Sequence, residues 1–297
     1  MDLKISKQKC SAKTKRQTNK LGLTLNALYA KYNHRDFIGE DPLQFVYKYS
    51  DPADMEIAGF FAAALAYGRV KQISKSLEKL FAIMGESPTA FVRLFKPNDR
   101  RRLKNFKHRF NTGDDIADLT ALLKHAINKH GSIEGYFLTG YSDSDANILP
   151  ALTNFCDGLT GLYARRHRGQ VSRGLMYLLA SPTRKSACKR LNLFLRWMVR
   201  DDDVDAGLWK SVDASKLIVP VDVHMARLCG ILGFHSSKNA TLKTAVEITE
   251  NFAKITSSDP VKYDFALSRI GIIENCNGKI NDKCPQCQLY EYCKAKK

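Results

Sequence analysis

Apolar residues recur along this chain at helical spacing far more often than at strand spacing. From Leu21 the segment LGLTLNALYAKYN repeats Leu and Tyr at the intervals of an amphipathic helix. Asp41-Pro42, Asp51-Pro52 with Asp54, and Ser87-Pro88 each mark a further helix start, because the fixed φ of proline suits a first turn. The segment 54–84 carries the longest apolar run, Ile57 to Tyr67, then a break at Tyr67-Gly68-Arg69 and an amphipathic continuation, ISKSLEKLFAIMG. That run is too short to span a bilayer and rich in small residues, so it reads as a buried core helix. Asp114 to His130 is again amphipathic and is closed by Gly131. Alternation of the strand type is confined to a short stretch near Leu217–Val221, and no internal repeat is visible. The pattern predicts an all-α fold.

Composition narrows the partner. A chain of 297 residues with 44% hydrophobic content can bury one large core or two modest lobes. Its formal charge of +17 favours a polyanion, with nucleic acid the leading candidate, although charge does not choose between DNA and RNA. Residues 1–20 hold seven Lys or Arg and almost no apolar side chain. They read as a disordered basic tail, which either adds unspecific phosphate contacts or only solubilises the chain. No apolar signal segment is seen there, and the protein is expected to be intracellular. Arg165, Arg166, Arg168 and Arg173 form a basic loop at the entry to the helix GLMYLLA, where phosphate contacts are expected. The aspartates at 201, 202, 203 and 205 read as a solvated loop rather than a magnesium site, and Trp197 and Trp209 as core.

Two stretches suggest chemistry. Cys276, Cys284, Cys287 and Cys293 form a C-x7-C-x2-C-x5-C run, with Gly278 and Pro285 bending the backbone between them. Four thiolates so close can converge on a tetrahedral zinc or on an iron–sulfur cluster. Structural zinc sites usually pair two short knuckles, whereas this run has one, so a [4Fe–4S] cluster is the better fit and zinc the alternative. Two disulfides are disfavoured by the absence of a secretory signal and by the scattering of Cys10, Cys156, Cys188 and Cys229. The second stretch is PVDVHMARLCGILGF, where Asp222 stands at the start of a helix. Taken alone, Asp222 reads as an N-cap, worth about 1 kcal/mol over Ala. His224 reads as a packing or hydrogen-bonding residue.

Residues 182–297 together resemble the endonuclease III-like superfamily of DNA glycosylases. The resemblance rests on Val221-Asp222-Val223-His224, on Leu232-Gly233, and on Tyr263-DFALSRIGIIEN leading into the cysteine run. The elements RLNLFLRWMVR and PVDVH look more closely like a domain-of-unknown-function family within or beside that superfamily. One element departs: where the superfamily's hairpin has two glycines, this chain reads Ala180-SPTRKS-Ala187 and has none.

The resemblance implies a two-lobed helical domain over 21–270, a cluster loop over 271–297, and a monomer acting on double-stranded DNA. It implies base-excision chemistry on a flipped base. Asp222 would stabilise positive charge on the sugar, and Lys185 would be the amine of a lyase step, unless the register slips and brings Lys189 to the pocket. Tyr67 or Arg69 would fill the gap left in the stack, with Arg184 and the other arginines on phosphates. Two competing readings are a non-catalytic iron–sulfur nucleic-acid-binding protein and a redox carrier or sensor. The latter does not explain the charge.

Overall fold

The computed structural model describes residues 18–39, 41–237, 239–273 and 276–296. The chain is mostly helical. Its α-helices are α1 (18–32), α2 (Pro52–Ala64), α3 (Val70–Met84), α4 (Pro88–Leu94), α5 (Arg100–Leu103), α6 (Gly113–His130) and α7 (Ile133–Phe137). They continue as α8 (Leu149–Arg166), α9 (Arg173–Leu178), α10 (Lys189–Val199), α11 (Val223–Leu232), α12 (Leu242–Ala253) and α13 (Asp264–Ile273). Short 3₁₀ turns fill many of the gaps, including Pro42–Lys48, where the Asp41-Pro42 signal starts a 3₁₀ helix and not an α-helix. Most of the tail expected over 1–20 lies outside the described residues, and residues 18–20 are the first turn of α1.

Helix α2 is the centre of the core. Its residues from Glu56 to Ala64 are all buried, as the apolar run requires. Asp51 caps it by accepting from Ala53 N and Asp54 N at 2.9 and 3.1 Å. α10 crosses close against it: a Cβ at Gly59 would come 2.8 Å from Met198 Cε, and the Phe60 and Phe194 rings meet edge-to-face at 5.1 Å. Trp197 and Trp209 are both in the core. The buried apolar residues form one continuous cluster from Leu21 to Leu289.

Two local expectations are corrected. Leu217–Val221 carries no secondary structure and pairs with no strand among the described residues, and Val219 N donates instead to the Thr249 hydroxyl of α12 at 3.0 Å. The described sheet is instead a hairpin, β1 (Lys107–His108) and β2 (Asn111–Thr112), where the sequence showed no alternation. The acidic loop is likewise not simply solvated. Asp201 and Asp203 are exposed, but Asp205 is fully buried between Arg196 and Arg200 of α10. Arg196 also binds Asp264 of α13, and Arg200 binds Asp202 and Asp259 at 2.8 and 2.9 Å. Burial alone would lower both arginines, yet Asp205 and its neighbours hold them above their ordinary range.

At Gly113 the packing leaves no room for a side chain. A Cβ on Gly113, the first residue of α6, would lie 1.8 Å from the Leu103 carbonyl oxygen. Gly113→Ala is therefore expected to destabilise the fold by about 3 kcal/mol, the upper range for overpacking, as read from urea denaturation.

Candidate active site

Asp222 is the N-cap of α11. Its Oδ1 accepts from His224 N at 2.9 Å and Met225 N at 2.8 Å, which explains why the chain turns into a helix at this point. Its Oδ2 faces the N-terminus of α10, where the Lys189 ammonium lies 3.4 Å away. Each side chain is about one-third exposed, so the pair opens to solvent. Burial would raise the Asp222 carboxyl, but Lys189 and the Met225 N–H outweigh it and hold the group below its ordinary value of 3.8. The result is a carboxylate kept ionised beside a primary amine at the mouths of two helices. His224 packs beside α13, and its Nδ1 is buried without a hydrogen-bond partner among the described residues.

The residue after Lys189 joins this pair to the turn at 67–69. Arg190 is buried, and it donates from Nη1 to the Ala64 carbonyl at 2.8 Å and from Nη2 to the Tyr177 carbonyl. Its guanidinium lies 5.1 Å from the Tyr67 ring centroid. Tyr67 is half-buried and donates to the His108 carbonyl, whereas Arg69 is exposed at the N-cap of α3. Consecutive residues of α10 thus face the acid–amine pair and the turn. Arg190 went unnoticed in the sequence, where it is one more basic residue in a basic run.

The other expected residues are dispersed. Lys185 is exposed at a left-handed backbone position, φ 59°, after the 3₁₀ turn Pro182–Arg184. No contact ties it to Asp222, so Lys189 is the amine that meets the carboxylate. Arg184 is also exposed. Arg165 and Arg166 end α8, both close enough to His125 of α6 to add to burial in lowering its pKa, Arg168 occupies the following turn, and Arg173 opens α9. All four are exposed, but they do not form one loop-borne cluster.

The four C-terminal cysteines border one cavity without closing into the ligand set of a single metal ion. Cys276, Cys284, Cys287 and Cys293 line one apolar cavity with Leu228 and Leu232 of α11. Cys276, Cys284 and Cys287 also border a neighbouring cavity of 350 Å³ against α1. All four are unbridged thiols. Burial pushes the Cys287 thiol up, and the other three thiols add to the effect. Among the described residues, no three His, Cys, Asp or Glu side chains gather as the ligands of one metal ion. Four thiols around one cavity are the donor type that either a [4Fe–4S] cluster or a tetrahedral zinc takes. Arg227 of α11 donates to the Cys276 carbonyl at 3.1 Å, and Lys20 of α1 binds Glu291 at 2.6 Å. The loop therefore braces the helix whose first turn Asp222 caps.

Comparison with known proteins corrects the resemblance drawn from the motifs. No curated protein and no solved structure matches this chain. A family model described as a protein of unknown function, DUF2400, matches residues 41–273 and stops three residues before Cys276. Nothing in these matches supports the endonuclease III-like superfamily. The physical reason the motifs misled is plain: an aspartate that caps a helix and a run of spaced cysteines are solutions that unrelated chains reach independently. The hairpin also differs, since Ser181 has φ −77° and the left-handed residues are Lys185 and Cys188, away from the expected glycine positions. With well over half of its length matched, the chain belongs to the DUF2400 family of proteins of unknown function.

Proposed function

We propose that this protein binds double-stranded DNA as a monomer and breaks the N-glycosidic bond of an extruded base. The observation that supports this reading best is the Asp222–Lys189 pair, an ionised carboxylate and an amine 3.4 Å apart on a protein of charge +17. As the bond between base and sugar breaks, positive charge develops on the sugar. A carboxylate already held anionic would stabilise that charge without reorganising. With water as nucleophile, Asp222 orients it and only the base is released. With Lys189 as nucleophile, its proton passes to the departing base or to solvent, Nζ bonds to the sugar, and strand cleavage can follow. Lys185 remains the control amine for that step.

The reading includes a two-lobed helical body closing on DNA at this site and a [4Fe–4S] cluster held by Cys276, Cys284, Cys287 and Cys293. Such a cluster would order the loop against α11 and so support Asp222. Anaerobically purified protein is expected to contain iron and acid-labile sulfide in equal amounts, and Cys284→Ala is expected to lose both. Zinc in their place would replace the cluster with the alternative metal.

The test is base release from duplexes that each carry one altered base, run with wild type, Asp222→Asn, Lys189→Ala and Lys185→Ala. Release lost in Asp222→Asn supports a glycosylase. A borohydride-trapped adduct lost in Lys189→Ala adds the lyase step. A second reading, a non-catalytic nucleic-acid-binding protein, is favoured by one observation: every contact of Asp222 is already used, two in the helix cap and one on Lys189. Tight DNA binding without release from any duplex would select it.

A further inference from the structure

Three aromatic rings and an unbalanced cation meet at the surface next to this pair. Phe110 and Tyr177 are 54% and 38% exposed, unusually so for large rings, and their centroids lie 4.6 Å apart edge-to-face. Tyr67 completes the group at 5.4 Å from Phe110 and 4.9 Å from Tyr177. Beneath them the Arg190 guanidinium sits 3.9 Å from the Tyr177 centroid. Its hydrogen bonds go to two carbonyls, and among the described residues no carboxylate lies within ion-pair distance of it. A buried cation without a counter-charge leaves the patch positive.

The backbone holds this arrangement in place at some cost. Arg109 and Phe110 are the two-residue tip of the β1–β2 hairpin, and Arg109 takes φ 55°, a left-handed value that glycine normally fills. The tip is fixed from below. His108 and Asn111, both fully buried, bond to Ser76 and to Asp115 of α6 respectively, and Asn111 also accepts from the Tyr67 hydroxyl. A rigid, strained turn that presents an exposed phenyl ring is the kind of local compromise that functional surfaces carry. Arg69 and Arg109 are exposed beside it, and Arg173 shares the face of α9 that bears Tyr177, four residues on.

We propose that Phe110 and Tyr177 form a stacking platform for one unpaired base of DNA, with Arg69, Arg109 and Arg173 on the phosphates flanking that base. Every base has an aromatic face, so stacking would accept any of the four, and the arginines supply the charge that a strand requires. Because Lys189 and Arg190 are consecutive, a base on the platform would bring the adjoining sugars toward Asp222. The proposal rests on the reading of this protein as DNA-binding.

The test compares affinity for two duplexes of the same sequence, one fully paired and one with a single bulged base. Wild type is expected to prefer the bulged duplex by roughly 10- to 100-fold. Phe110→Ala and Tyr177→Ala should each lose most of that preference while keeping their affinity for the paired duplex. Phe110→Trp and Tyr177→Phe should keep the preference, and thermal melts of all four variants confirm that the hairpin is folded. If the alanine variants keep the preference, or wild type binds both duplexes equally, the platform is wrong and the DNA reading stands. If wild type binds neither duplex, both fall.

Discussion

Arg196→Met is expected to destabilise the protein by about 3–5 kcal/mol, the range for breaking a buried ion pair on one side. The Arg196 side chain is 3% exposed, and its partners Asp205 and Asp264 are 0% and 7% exposed. Asp205 keeps Arg200 after the substitution, but Asp264 loses the only cation in contact with it among the described residues. Burial already pushes the Asp264 carboxyl up, and Arg196 is the main opposing influence, so the variant should push it further. The sign follows from linkage. A carboxyl whose folded pKa is raised binds its proton more tightly when folded, so its contribution is present at low pH and lost as pH rises through that value. The penalty should therefore be larger at about pH 7 than at about pH 4, as read from urea denaturation at both. Arg196→Met with Asp264→Asn should recover part of the loss. If the double variant is no more stable than the single, the loss comes from packing and not from an unpaired charge.

That network also shows what a sequence hides. Charged residues read as surface unless something marks them as buried: Arg196, Arg200 and Asp205 lie within ten residues of one another yet look like any solvated charged stretch, and Asp264, the partner that closes the network, is far along the chain. The helices were more legible because their signals are local. Asp51 and Ser87 cap where their prolines suggest, Gly131 ends α6 at φ 86°, and residues 57–66 of the apolar run are buried because they are apolar on every side, with Tyr67 half-buried at the turn that follows. The hairpin at 107–112 was not legible, since two residues per strand are too few to show alternation. At the candidate site, Asp222 stood out as a helix cap, and that is its geometry. The choice between Lys185 and Lys189 needed coordinates. Lys189 begins α10 and faces α11, while the left-handed backbone at Lys185 leaves that side chain in solvent. Spacing along the chain carries no sign of such a turn.

Asp222→Asn is expected to lower base release by about 10²–10³-fold, the scale for removing one preorganised electrostatic contact in a transition state. Asn is as good an N-cap as Asp, so the helix should keep its first turn and the melting temperature should change little. Asp222→Ala, by contrast, should cost about 1 kcal/mol of stability as well, which separates the cap from the chemistry. Lys189→Ala adds a second readout. In wild type the Asp222 carboxyl lies below 3.8 because Lys189 and the Met225 N–H outweigh burial. A depressed carboxyl is ionised above its ordinary value and stays so until pH falls through the folded one, so base release should show no acid limb above about pH 4. Without Lys189 the burial contribution meets less opposition, and the limb should move to higher pH. A limb that moves the other way, or stays in place while release falls, would mean that Lys189 acts on the substrate and not on Asp222. If Asp222→Asn releases base at the wild-type rate, the carboxylate is a helix cap alone, and the chemistry must be sought elsewhere on this surface.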